Sequence, residues 1–365
     1  MKVKLGEIGT FKNGLNYSAD NIMSGCKMIG IPDFGYNYIA KIDDLREIDA
    51  NIVSDEYLLD NNDILFVRSN GNKNLVGRSM IVQGISDKVT FSGFCIRFRI
   101  HSKNVNPLYM LYLFKSPMFR KLFSNTQQTS ITNLNQEVLG NIQFDIPTLE
   151  RQHKIVQAIH SITKKIECNN LINDNLQQQM TLMYEYMISS ALSSNIEGCF
   201  TTTNKLTEVI TGKEDANFSS NNGKYKFFTC ANAPLLCDSA AFESSSVLIA
   251  GNGDFNVKHY SGKFNAYQRT YVLTPKTEYY GLLYLSCLYR INSFKSSSAG
   301  SIVKFITKGD IESIPVYIPK DTSYLKFFNN LVFAQEQLLI ENDELMQLRD
   351  WLLPMLMNGQ ASIDD

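Results

Sequence analysis

The chain has 365 residues and a mass of 41.4 kDa, enough for two domains with buried cores, and its 35 basic residues nearly balance 36 acidic ones. That balance excludes a polyelectrolyte and argues against disorder as a description of the whole. Seven cysteines, at 26, 95, 168, 199, 230, 237 and 287, form no Cys-x-x-Cys pair, so reduced thiols are expected and not a disulfide framework or a zinc knuckle.

In chain order, residues 1–148 read as a first globule. The opening nine residues lack the apolar core of a leader segment, and no run reaches the roughly 18 apolar residues of a spanning helix. A cytoplasmic chain without membrane contact is expected. Apolar runs at 27–31, 64–67, 78–82 and 93–100 predict strands, and 108–123 predicts a helix. Charge is uneven: residues 1–63 hold 6 bases and 11 acids, whereas 64–136 hold 10 bases and the single acid Asp87. Residues 149–194 read as a long helix. The stretch 195–320 is a second globule, with strands at 225–229, 247–249 and 269–273 and a helix at 282–293; from 247 to 309, 8 bases face only Asp254 and Glu278. The last segment, 321–365, is a second long helix, with Lys326 and Arg349 among eight acids. Strand and helix do not alternate as in a doubly wound sheet, so each globule is α+β. The two basic stretches point to a polyanion met by two surfaces.

The long helices carry a heptad seam. Ile155, Ile159, Ile162, Ile166, Asn169, Asn173, Leu176, Met180, Met183 and Met187 fall at alternating steps of four and three, and Phe328, Leu331, Gln335, Leu338, Asn342, Leu345, Arg349 and Leu352 keep the same spacing. Two amphipathic helices, each lying on its own globule, would give a similar stripe. The amides in mid-seam favour a mutual coiled coil, because a buried amide costs stability and fixes register between partners. The intervening globule lets the chain return antiparallel, with Asn342 at the level of Asn169 or Asn173.

The chain also repeats. Lys4-Leu5-Gly6-Glu7-Ile8 returns as Lys205-Leu206-Thr207-Glu208-Val209, residues 63–67 return as 246–250, and the strand ending at Pro147 matches the one ending at Pro319. A domain duplication accounts for this better than a solenoid. The expected architecture is therefore two pseudo-repeated globules separated by two long helices that form an antiparallel coiled coil.

Candidate polyanion contacts come from the basic stretches. In the first globule, Arg68, Asn70, Lys73, Asn74 and Arg78 follow a strand and supply cationic and amide donors; their counterparts are Asn252, Asn256, Lys258, His259, Lys263, Gln268 and Arg269. A second polar loop with Gln127, Ser130, Thr132 and Asn133 aligns with one carrying Ser301 and Lys304, where small hydroxyls suit close approach to phosphate. Solvated or capped turns would use the same residue types. Catalytic motifs are missing: no Glu has Lys two positions on, no Gly-Lys is followed by Ser or Thr, and the four histidines have no metal spacing.

Three stretches resemble the specificity subunits of type I restriction-modification enzymes. They are the opening at 4–14, the junction Ile146-Pro147-Thr148-Leu149-Glu150-Arg151-Gln152-His153-Lys154-Ile155-Val156, similar to that family's Ile-Pro-x-Leu-x-x-Gln-x-x-Ile-Val, and the ending at 348–360. The second junction, at 318–323, lacks the Leu-x-x-Gln. The resemblance implies target-recognition domains at 1–148 and 195–320, with spacer helices at 149–194 and 321–365. It also implies a non-catalytic subunit that recognises a bipartite double-stranded DNA target and holds two modification subunits, which methylate adenine. Restriction subunits would dock on that core, and S-adenosylmethionine, ATP and Mg would belong to the partner subunits, with no cofactor in this chain. A methylation-only system, or a DNA-free coiled-coil scaffold, are the alternatives.

Overall fold

A computed structural model describes residues 2–34, 38–71, 75–119, 134–221, 223–253, 255–297 and 305–361. It divides into two compact units: Met1–Lys165 with Leu345–Asp365, and Ile166–Glu344.

The first unit begins with β1 (Lys2–Lys4), which pairs antiparallel with β9 (Gln143–Asp145), the strand just before the first long helix. Between them β2 (Gly9–Asn13), β8 (Cys95–Ile100), β5 (Ile64–Val67) and β6 (Ser79–Ile81) form a four-stranded antiparallel sheet. A smaller sheet sets β3 (Cys26–Ile29) between β4 (Arg46–Ile48) and β7 (Val89–Phe91), the pair β3 and β7 being parallel. The helix Pro107–Lys115, capped by the Asn106 side chain and started by proline, presents six consecutive buried residues from Tyr109 to Phe114 to the core.

The second unit repeats this order. Here β10 (Gly198–Thr202) pairs with β17 (Pro315–Pro319), and one six-stranded sheet runs β11 (Val209–Thr211), β16 (Thr270–Leu273), β14 (Phe242–Ala250), β15 (Val257–Ala266), β12 (Tyr225–Phe228), β13 (Leu235–Cys237). The sequence β11-β16-β14-β15 matches β2-β8-β5-β6, and the parallel pair β12 with β15 matches β3 with β7. The duplication is thus one of topology and not only of short motifs. The helix Tyr280–Ser297 stands where Pro107–Lys115 stands in the first unit.

The long helices are Leu149–Leu192 and Ser323–Met357. In the first unit Ile155, Val156 and Ile159 from the start of one share a core with Leu353, Leu356 and Met357 from the end of the other. In the second, the fully buried Asn169 donates to Asn342 Oδ1 (2.9 Å) and to Glu341 (2.8 Å), Asn342 donates to Asn170 (2.9 Å), and Gln335 Nε2 reaches the Asn173 carbonyl (2.9 Å). Partners on one helix rise in number as those on the other fall, so the pairing is antiparallel, and Asn342 takes the level of Asn169.

The seam is broader than a strict heptad stripe. Ile162, Asn173, Leu176, Met183, Leu331, Leu338, Leu345 and Leu352 are half-buried, whereas Val156, Thr163, Tyr184, Val332 and Glu336, off that stripe, are buried. The cause is a second neighbour: Met180, Tyr184, Met187, Leu325, Phe328 and Val332 also belong to the core of the second globule. Each helix serves as partner to the other and as wall to a globule, so its apolar face exceeds a coiled-coil seam.

Candidate nucleic-acid interface

Both units build the same corner. In the first, residues 92–95 make a tight turn, with the Cys95 N–H bonded to the Ser92 carbonyl (2.8 Å). The Arg68 N–H, just past the end of β5, donates to the Phe94 carbonyl (2.8 Å), and the Arg68 carbonyl accepts from the Leu134 N–H (2.8 Å). In the second unit Thr270 N–H bonds to the Tyr267 carbonyl (2.8 Å), Gly251 N–H to the Arg269 carbonyl (2.9 Å), and Ile306 N–H to the Gly251 carbonyl (2.8 Å). Arg68 thus corresponds to Gly251, and Phe94 to Arg269.

Several sequence candidates gather at these corners. The Arg68 guanidinium lies over the turn, donating from Nη1 to the Gly93 carbonyl (3.3 Å), while its buried Nε has no hydrogen-bond partner among the described residues. Arg78 adjoins through the Val67 N–H, which bonds to the Arg78 carbonyl (2.9 Å), and its guanidinium reaches the Phe34 carbonyl (3.4 Å). Asn70 is half-buried two residues beyond Arg68. In the second unit Asn252 forms a bridge with Phe305, Asn256 Nδ2 donates to the Cys230 carbonyl (2.8 Å), and Gln268 and Arg269 are exposed on the turn. Lys258 Nζ is turned inward to Asn256 Oδ1 (2.5 Å) and the Thr229 carbonyl (3.3 Å), and burial pushes its ammonium down to about 8. Lys73, Asn74, Gln127, Ser130, Thr132, Asn133, Ser301 and Lys304 lie outside the described residues.

Two candidates are displaced. His259 is a helix-docking residue and not a DNA contact: its side chain is 8% exposed, Nδ1 pairs with Glu336 (3.0 Å), Nε2 with Gln335 (3.2 Å), and its ring meets Tyr284 edge-on at 4.6 Å. Tyr280 donates to the same oxygen, Oε1 (2.6 Å), so one oxygen of a buried acid on the long helix meets two groups of the globule. Lys263 stands five residues along β15 from Lys258, opposite Glu243, with Nζ 3.7 Å from that carboxylate. The basic stretches are also less free than their charge counts suggest. Arg99 grips the buried Asp63 with two nitrogens (2.8 and 2.7 Å) and Asp60 with a third (2.7 Å), and Arg97 is spent on the Glu56 and Leu58 carbonyls.

Gln152, the glutamine of the first junction, is fully buried and accepts from the Asn106 N–H (2.8 Å) while donating to the Asn104 and Pro147 carbonyls (3.1 and 3.0 Å). The second junction lacks that glutamine, yet Asn329 accepts from the Gly281 N–H (2.7 Å) and donates to the Thr277 and Glu278 carbonyls (2.9 and 3.0 Å). Sequence reasoning missed Asn329, since it lies a turn further into its helix than the motif position, and it missed Phe94 and Phe305, single aromatics with no periodic signal.

No group of three or more His, Cys, Asp or Glu able to hold a metal occurs among the described residues, and no described helix is long and apolar enough to cross a membrane.

Taken together, the fold and the paired corners define a duplicated α+β protein, each copy of the globule leading into a long helix. The chain belongs to the type I restriction modification DNA specificity domain family, whose model matches residues 1–178 and 202–337. It is 39% identical over 168 residues to the type I restriction enzyme EcoDI specificity subunit of Escherichia coli, covering 43% of this chain and 37% of that protein. Identity to the StySPI specificity subunit of Salmonella potsdam is 23% over 194 residues, covering 52% of this chain and 42% of that protein. The chain therefore spans about two fifths of the length of these two relatives. The putative MjaX specificity subunit of Methanocaldococcus jannaschii is 21% identical across 92% of this chain and 84% of its own length. Among solved structures, the type I restriction-modification S subunit from M. genitalium has the same fold, with a TM-score of 0.56 at 16% identity over 98% of this chain and 96% of that one.

Proposed function

We propose that the chain is the non-catalytic DNA-specificity subunit of a type I restriction-modification complex. Each unit reads one half of a bipartite double-stranded target, with the recognition domains at 1–148 and 195–320 and the spacer helices at 149–194 and 321–365. The observation that carries this reading is the corner made twice with the same three backbone bonds, bearing Arg68 in one unit and Arg269 in the other. Around them Asn70, Arg78, Asn252, Asn256 and Gln268 supply amide and guanidinium donors suited to base edges and phosphates. Lys73, Asn74, Gln127, Ser130, Thr132, Asn133, Ser301 and Lys304, which lie outside the described residues, are assigned to the same DNA-contacting role from their side-chain chemistry alone.

The helices hold the partner subunits. Leu171 and Ile172 on the first, and Leu339 and Ile340 on the second, are 41 to 70% exposed, which suits them to two modification subunits, with restriction subunits joining the assembled core. S-adenosylmethionine, ATP and Mg belong to those partners, and the chain works in the cytoplasm.

The test is geometric. Inserting one heptad at matched places in both helices lengthens each by roughly 10 Å without rotating its apolar stripe. With the modification subunits co-expressed, sequencing of the methylated adenines should show a changed number of unspecified base pairs and unchanged half-sites. Arg68→Ala should relax one position of one half at a cost of roughly 1 to 3 kcal/mol. A lengthened chain that alters the specified bases and keeps the gap would refute the model.

A further inference from the structure

We propose that Phe94 and Phe305 are base-contacting residues, one in each half of the reader, each working beside an arginine. The inference rests on the DNA-reading function proposed above and names residues that the basic-stretch argument did not contain.

A single exposed hydrophobic side chain is ordinary on a protein surface. Three phenylalanines are exposed among the described residues: Phe94 at 57%, Phe200 at 53% and Phe305 at 64%. Phe200 packs against Tyr317 at a tilt, with ring centroids 4.9 Å apart. Phe94 and Phe305 meet no other ring among the described residues, and both stand at the duplicated corner. Phe94 is the third residue of the turn whose carbonyls receive the Arg68 backbone N–H and guanidinium. Phe305 bridges to Asn252 and immediately precedes Ile306, whose N–H bonds to Gly251, the residue tied to Arg269.

The units keep an exposed aromatic and an arginine but seat them differently. The first places arginine past the strand end and phenylalanine on the turn. The second places arginine on the turn, glycine past the strand end and phenylalanine on the returning segment. The move of the arginine has a steric reason. A Cβ on Gly251 would come within 2.8 Å of both the Arg269 carbonyl oxygen and Tyr271 Cε2, so no side chain fits there. At the position of Tyr271 the first unit has Ile96, opposite Phe66 as Tyr271 is opposite Ile249. Both corners thus carry an arginine and an exposed phenylalanine although the positions that bear them differ.

Its chemistry fits a duplex. A guanidinium donates to a base edge or a phosphate, while an adjoining ring covers a thymine methyl or wedges at a base step, excluding water from the arginine contact. Among the described residues neither ring packs against another, and both stay more than half exposed.

The experiment uses the chain assembled with its modification subunits in cells lacking other adenine methylation. The motif is read by sequencing, and the purified complex is titrated with a duplex carrying it and with one whose half-sites are scrambled. Phe94→Ala should lower affinity for the motif roughly 5- to 100-fold, the range that loss of one aromatic contact to a base produces. Affinity for the scrambled duplex should stay within about twofold, because that binding is electrostatic. The methylated motif should relax at one position in one half, and Phe305→Ala should do the same in the other. If both variants keep the motif and its affinity while Arg68→Ala loses them, the aromatic assignment falls and the DNA-reading function stands. A wild-type complex that binds the scrambled duplex as tightly as the motif overturns both.

Discussion

In the second unit β15 runs for ten residues and pairs with β14 over Val257–Phe264 and with β12 over Phe264–Ala266. In the first unit the same path is cut into β6 and β7 by the loop at 82–88, which turns at Gly84 (φ +71) and is pinned by the Ile85 N–H to Asn61 (3.2 Å). The partner strand differs in step: β14 has nine residues and is laced to β15 by the Ser245–Ser261 hydroxyl pair (2.8 Å), whereas β5 has four and is preceded by Asp60 and Asp63 in the grip of Arg99. One strand plan is held by a long hairpin in one copy and by charge-assisted bonds at a strand start in the other.

The largest test of that contrast is Asp63→Ala. Asp63 is 1% exposed and also accepts from the Asp60 N–H (2.8 Å), so its loss takes two charge-assisted bonds from a half-buried arginine, which keeps Asp60 and the Leu58 carbonyl, and one from an amide. The expected cost is about 3 kcal/mol or more. In denaturant unfolding with hydrogen exchange, the first unit should open before the second; equal loss of protection in both would sink the idea.

Alkali should strike the other copy. Burial pushes the Tyr184 phenol up to about 12, and Tyr280 and Tyr284 are raised as well, Tyr280 by burial first and then by the Glu336 carboxylate. Each folded value lies above the unfolded one, so their contribution is whole below pH 10 and is lost as pH rises through the folded values. For Tyr184 the loss reaches about 2 to 3 kcal/mol by pH 12. The first unit has Tyr109, also at about 12, and Tyr38. Above pH 10 the second unit should unfold at lower denaturant than the first; a second unit that keeps its denaturant midpoint between about pH 9 and pH 12 would contradict this.

The junctions predict a smaller effect with equal sizes. Gln152→Ala and Asn329→Ala each remove three bonds, two of the first and all of the second reaching the start of a globule helix, and should each cost about 1 to 3 kcal/mol. If only Gln152→Ala matters in thermal unfolding, the two amides are not equivalent. The smallest effect belongs to Lys263→Ala, which breaks an ion pair with side chains 53% and 72% exposed and should change stability by less than about 1 kcal/mol in the same assay.

Much of this was readable in the sequence. The strand at 64–67 and the cores of those near 27, 79, 95, 225 and 270 stand where apolar runs place them, because a buried strand needs little more than such a run. The strand β15 was not visible: Lys258, Ser261, Lys263 and Asn265 interrupt its apolar positions, so it read as a polar turn. Likewise Ser244, Ser245 and Ser246 hide the first half of β14. The amide register at Asn169 and Asn342 was legible because the two helices repeat. The His259, Glu336 and Tyr280 cluster was not, since a charged residue on a helix carries no mark of which charges will be buried, and three distant segments meet there.

β1 lies beside β9, and β10 beside β17. The second globule therefore leaves one long helix and joins the other through two neighbouring strands with five paired residues, and in the first unit the opening strand lies beside the one that leads into its helix over three. A gene exchange with crossovers at those two points would replace a whole globule while leaving the path of the framework intact. On the function proposed above, such a chain can acquire a new recognition module in one genetic event and keep the framework surfaces on which partner subunits would dock.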